Sequence, residues 1–195
     1  MKKISLFFTL LCCAFFSFGQ NYKDIHLIDI DSLWGKEIFR FPARNMDYKG
    51  VGEVRFPPKG WRTQEHINFW TYTFAWDINL NTKITEKELE INLVKYFNSL
   101  NTIEMKATTD NRFSSAKVIQ TKQEKVTAFF KGSLRIFDRF TTKKMIPLNV
   151  LIESHYCKKK KRTILLFKFS PKEFGHEVWT TTLKKIKLHT LICDY

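Results

Sequence analysis

Five histidines, His26, His66, His155, His176 and His189, are the side chains of this chain best suited to proton transfer near neutral pH. Glu65 precedes His66 and Glu177 follows His176. Adjacent residues point to opposite faces of a strand and lie about 100° apart on a helix, so adjacency alone makes no dyad. His66 with Asp77, or His155 with Glu153, are pairs that a fold can bring together as acid and base. They are the route to a small hydrolase-like enzyme. The chain has no HExxH, no GxSxG, no glycine-rich phosphate loop and no carboxylate cluster of the metal-binding type, so no cofactor and no metal site are expected. His176, in "SPKEFGHEVW", reads as a local hydrogen-bonding residue near a helix start, where backbone N–H groups lack partners.

The second available chemistry is electrostatic. In "TAFFKGSLRIFDRF" strand alternation puts Val126, Ala128, Phe130, Leu134, Ile136 and Phe140 toward the core and Phe129, Lys131, Ser133, Arg135, Phe137 and Arg139 on the other face. Cations interleaved with rings suit an anionic polymer, the charges meeting charge and the rings stacking. The plainer reading is a solvated sheet face whose phenylalanines lie beneath a helix. Lys158, Lys159, Lys160 and Lys161 stand between two alternating segments and therefore at a hairpin tip, where an electrostatic role is open. Without Lys2 and Lys3 the chain carries 31 basic and 19 acidic side chains, net +12. Residues 20–107 hold 12 of each sign, so the whole excess lies in residues 108–195. That asymmetry points to an anionic partner: an anionic glycan, a lipid headgroup or an acidic protein.

Elements that would position these residues are legible from period and caps. "FWTYTFAWDINL" alternates Trp70, Tyr72, Phe74, Trp76, Ile78 and Leu80 against Thr71, Thr73, Ala75, Asp77 and Asn79, which predicts a strand. Thr85 and Glu88 form a capping box, and Leu89, Leu93, Tyr96, Phe97 and Leu100 follow at helical spacing, predicting a helix over 86–100. "EIFRFP" and "GEVRFPPKGW" read as earlier strands; "SAKVIQT", "KVTAFFKGSLRIFDRF", "PLNVLIESHYC" and "TILLFKF" read as a later meander. Ser170-Pro171-Lys172-Glu173 resembles a second capping box and predicts a weak helix with Phe174, Val178, Trp179, Leu183 and Ile186 facing the core. The order β-β-β-α-β-β-β-β-α, without a βαβ rhythm, predicts an α+β fold, a mostly antiparallel sheet with two α-helices packed on it.

"MKKISLFFTLLCCAFFSFGQ" has a basic start, an apolar stretch from Ile4 to Phe18 and small residues at Ser17 and Gly19, the pattern of a cleaved signal peptide over 1–19. The stretch is shorter than the roughly 20 residues that span a bilayer, and no later segment is long enough. Leu11 before Cys12 and Cys13, with the apolar run continuing after them, disfavours a lipoprotein. Residues 20–195 are then expected as one secreted or periplasmic domain. In an oxidising compartment its two remaining cysteines, Cys157 and Cys193, are read as one disulfide, with two separate buried thiols as the alternative; neither has CxxC or Cys-His spacing, which disfavours a zinc site. "FWTYTFAWDINLNTKITEKELEINLVKYFNSL" together with "FSPKEFGHEVWTTTL" resembles a family of uncharacterised secreted bacterial proteins with an FWxY strand, a helix ending YFxxL and an SPxxxGHxVW segment. The resemblance implies secretion and no activity. The expected function is a non-enzymatic binding or accessory protein of the cell envelope with an anionic ligand or partner. The alternative is the His/carboxylate hydrolase; nucleic acid is disfavoured by the compartment.

Overall fold

The computed structural model describes residues 25–40, 47–104, 109–122, 126–189 and 193, with the backbone alone at Phe39 and Arg40. The expected signal peptide and Cys12 and Cys13 lie outside these residues. The elements are β1 (Ile28–Asp29), β2 (Gly35–Arg40), β3 (Gly50–Phe56), β4 (Tyr72–Ile78), α1 (Glu86–Leu100), β5 (Ser115–Thr121), β6 (Ala128–Phe137), β7 (Met145–Cys157), β8 (Arg162–Ser170) and β9 (Lys187–Leu188). Seven strands form one antiparallel sheet in the order β2-β3-β4-β8-β7-β6-β5, and β1 pairs with β9 in a separate two-stranded ribbon. The fold is α+β and dominated by antiparallel sheet. Chain order explains the sheet: β2, β3 and β4 meander outward, α1 crosses to the far edge, and β5 to β8 meander back until β8 closes against β4.

Helix α1 starts as its sequence predicts. Thr85 Oγ1 accepts from the Glu88 N–H at 3.2 Å, and the Glu88 carboxylate accepts from the Thr85 N–H at 2.8 Å. Leu89, Leu93, Tyr96 and Phe97 are buried against one face of the sheet, where Phe74, Trp76, Phe130, Val150, Phe167 and Phe169 form the larger core. Phe74 stacks on Phe167 with ring centroids 4.4 Å apart, because the register sets these residues directly opposite each other on β4 and β8.

The outer side of α1 protects the sheet edge. Asn98 accepts from the Ser114 N–H at 2.8 Å, Glu90 from Val118 at 2.8 Å and Glu86 from Gln120 at 2.5 Å. Four helical residues rise about 6 Å and two strand residues about 6.7 Å, so acceptors spaced by four can follow donors spaced by two. The outward N–H groups of Val118 and Gln120 in β5, which would otherwise help template pairing with another chain, are thereby occupied.

The opposite face is also covered. Leu27 and Ile28 from the N-terminal segment, and Val178, Trp179, Leu183 and Ile186 from the C-terminal one, pack on Ala75 and Leu166 as a second core. Strand β4 is consequently buried on both sides, with Thr71 and Thr73 fully covered beside Ala75. Alternation had predicted an apolar face and a polar one; on the polar face Asp77 is half-buried and Asn79 exposed, while the two threonines are buried because their hydroxyls find partners, Thr71 with Ser170 Oγ at 2.9 Å and Thr73 with the Phe167 carbonyl at 2.5 Å.

The second predicted α-helix is replaced by turns, then a π-helical turn over Val178–Thr182 and a 3₁₀ turn over Leu183–Lys185. An α-helix would send the His176 N–H to the Lys172 carbonyl. Instead Asn149 Nδ2 and Trp179 Nε1 donate to that carbonyl at 3.1 and 2.9 Å, and the His176 N–H goes to Glu173 O at 2.9 Å. Its core positions nevertheless hold: Val178, Trp179, Leu183 and Ile186 are buried and Phe174 is half-buried. Phe140, expected in the core, follows the end of β6 and is exposed. No helix among the described residues is long and apolar enough to cross a membrane.

Candidate functional site

The sheet register builds the site. On the face away from α1, Glu53, Ala75, Leu166, Glu153 and Phe129 form one row across five strands, and Arg55, Thr73, Lys168, Leu151 and Lys131 form the next. Glu153 on β7 therefore stands diagonally beside Lys168 on β8, and Glu53 stands two residues from Arg55 along β3. Arg55 Nε donates to Glu53 Oε1 at 2.5 Å, and Lys168 Nζ donates to Glu153 Oε1 at 2.7 Å. Glu53 also accepts from the backbone N–H groups of Leu27 and Ile28 at 2.5 and 3.3 Å, which fastens the N-terminal segment to the sheet.

Glu153 and Lys168 lie on the wall of a cleft of about 430 Å³ between the sheet and the C-terminal segment. Phe129, Leu151, Trp179, Leu183, Ile186 and Leu188 supply apolar walls. His155, Lys184 and Lys187 supply the remaining nitrogen groups, the two lysines being exposed. His155 Nε2 stands 3.7 Å from Glu153 Oε2 and is buried without a hydrogen-bond partner. Burial works against the charge of Glu153, but His155 and Lys168 outweigh it and hold its carboxyl below the ordinary range. The size of the cleft is within the range of small-molecule sites.

No protein-family model matches this chain, and no curated protein or solved structure is detectably similar to it. Its function must be argued from the site itself.

Of the two acid-base pairs named from sequence, the fold joins His155 with Glu153 and leaves the other pair apart. Asp77 accepts from Arg162 Nε at 2.6 Å, while His66 Nδ1 accepts from the Asn68 N–H at 3.1 Å. His176 Nδ1 accepts from the Val178 N–H at 3.1 Å, the local role its position suggested.

The cationic row expected on β6 is broken up. Lys131 and Arg135 are exposed, with Lys131 Nζ 5.4 Å from the Phe174 ring. Phe129 is buried in the cleft wall and Phe137 is half-buried, so they do not form an open stacking surface. Because β6 ends at Phe137, Arg139 leaves the row and donates to the Leu100 carbonyl at the end of α1 at 3.0 Å. Lys158, Lys159, Lys160 and Lys161 do form the β7–β8 tip, as a 3₁₀ turn over Lys158–Lys160 with Lys161 in the left-handed conformation at φ 51°. Cys157, at the base of this tip, is disulfide-bonded to Cys193 with Cα atoms 5.2 Å apart.

Sequence reasoning did not find Lys168 or Glu53. Both sit in strands that read as apolar or generic, and only an unpaired-looking charge within "LLFKF" or "GEVRF" hints at a buried partner.

Proposed function

We propose that the chain is a non-enzymatic binding protein of the cell envelope, exported by residues 1–19, whose cleft takes a small anionic amphiphile of the lipid-headgroup class. The single observation that carries this reading is the combination in one cleft of seven apolar side chains, Val126 among them, with the ammonium groups of Lys184 and Lys187. A purely polar glycan would leave Phe129, Trp179 and Leu183 unused, and a neutral apolar ligand would leave the cations unused. The net +12 of the expected mature chain would favour approach of anions over a range set by salt screening. Export rests on the basic, apolar and small-residue pattern of the first 19 residues and on the resemblance to secreted proteins.

Isothermal titration with dodecyl phosphate below its micelle concentration tests the proposal, with dodecyl maltoside as the neutral control. Binding at one equivalent, weakened at least tenfold in Lys184→Gln/Lys187→Gln and little changed in Lys131→Gln/Arg135→Gln, is the expected result. Equal binding of the neutral detergent, or indifference to the cleft lysines, would overturn it.

A second reading rests on the 3.7 Å approach of His155 to Glu153 in the same cleft. There His155 would act as general base on a water molecule and Glu153 would orient the ring, the division of labour of a hydrolase. Turnover of short p-nitrophenyl esters that disappears in His155→Gln, with ligand binding retained, distinguishes it from simple binding.

A further inference from the structure

The two terminal segments meet in the β1–β9 ribbon, where Ile28 is opposite Leu188 and Asp29 opposite Lys187, and the His189 N–H donates to the Leu27 carbonyl at 2.9 Å. This pairing carries His189 to His26 and Asp29, which are three residues apart in the N-terminal segment. His26 Nε2 is 3.2 Å from Asp29 Oδ1, the two imidazole rings meet edge to face with centroids 4.9 Å apart, and one ligand atom from each residue lies within 4.8 Å of the others. Two imidazoles and a carboxylate are a donor set for Zn²⁺ and related divalent transition metals, and are poor in the multiple oxygens that Ca²⁺ or Mg²⁺ requires.

We infer that His26, Asp29 and His189 form a divalent transition-metal site that joins the N-terminal strand to the C-terminal strand. Zinc–ligand distances of about 2.0–2.2 Å place ligand atoms about 3.3 Å apart in a tetrahedron, so the His26–Asp29 pair already has the required spacing. His189, half-exposed directly after β9, would supply the third ligand, its nearest ligand atom lying within 4.8 Å of those of His26 and Asp29. Three protein ligands leave a coordination position open to water. Both joined segments contribute to the second core, and the C-terminal one also walls the cleft. Metal binding therefore acts as a clasp on the layer covering this face of the sheet, and its free energy adds to folding by linkage.

The experiment is titration of tag-free mature protein with Zn²⁺ under non-reducing conditions, so that Cys157 and Cys193 offer no thiolates. One equivalent should bind with micromolar affinity and raise the thermal midpoint, whereas Mg²⁺ and Ca²⁺ at the same concentration should do neither. His26→Gln/His189→Gln should weaken Zn²⁺ binding at least tenfold and abolish the thermal shift. The metal-free midpoint of that variant, expected within a few degrees of the parent because the side chains are exposed or half-exposed, verifies that it folds. Absence of binding to the parent chain, or undiminished one-equivalent binding to the double variant, would overturn the site.

Discussion

Replacing Lys168 by methionine isolates the electrostatics of the cleft. Lys168 is 9% and Glu153 16% exposed at the side chain, and 2.7 Å separates ammonium from carboxylate. Methionine preserves most of the side-chain volume and removes the charge, leaving Glu153 beside Phe129 and Leu151 with His155 as its near neighbour. Breaking a buried ion pair from one side costs about 3–5 kcal/mol. The remaining exposure of Glu153 and the approach of His155 place the expected loss near the lower bound, at about 3 kcal/mol. Lys168→Met/Glu153→Gln removes both charges and should return stability to within about 1 kcal/mol of the parent, since a neutral pair leaves no buried charge. Urea denaturation at pH 7 measures all three proteins. The pH profile supplies an independent reading. Although burial raises the Glu153 pKa, the opposing contributions of His155 and Lys168 leave it depressed in the folded state. Its stabilisation is therefore present above the unfolded glutamate value of about 4.3 and is lost as pH falls through the folded value. Lys168→Met should flatten that acid limb. A loss under about 1 kcal/mol, or a double variant no more stable than the single, would refute the argument.

Other features give equally direct expectations. The buried Asp138 carboxylate accepts from the N–H groups of Phe140, Thr141 and Thr142 and from the Thr142 hydroxyl, so Asp138→Ala should cost about 3 kcal/mol in the same denaturation assay by stranding these donors in the β6–β7 turn. Glu86→Ala/Glu90→Ala should free the outward N–H groups of Val118 and Gln120 and produce concentration-dependent association in sedimentation velocity, while the parent stays unchanged over the same range. Cys157→Ala/Cys193→Ala opens a loop with a sequence separation of 36 and should lower stability by up to about 4 kcal/mol. Mass spectrometry of the alkylated, unreduced parent should find neither of these cysteines modified.

Local features were readable from the residues alone. Seven strands and α1 follow from alternation, turn residues and the Thr85–Glu88 capping box, because each depends on neighbours within a few positions. The hairpin placement of Lys158 to Lys161 and the core positions Val178, Trp179, Leu183 and Ile186 were legible for the same reason. Tertiary structure decided what local preference could not. The helix expected after Ser170 yields because Asn149, distant in sequence, competes for the Lys172 carbonyl together with Trp179. Phe129 lines a cleft because the C-terminal segment folds over it, and Arg139 turns to α1 because β6 stops two residues earlier. Glu53 is buried because an N-terminal strand arrives with two N–H groups to satisfy. Periodicity states which residues share a face of an element; which second element will cover that face, and with what charges, is set by long-range pairing such as β4 with β8 and β1 with β9.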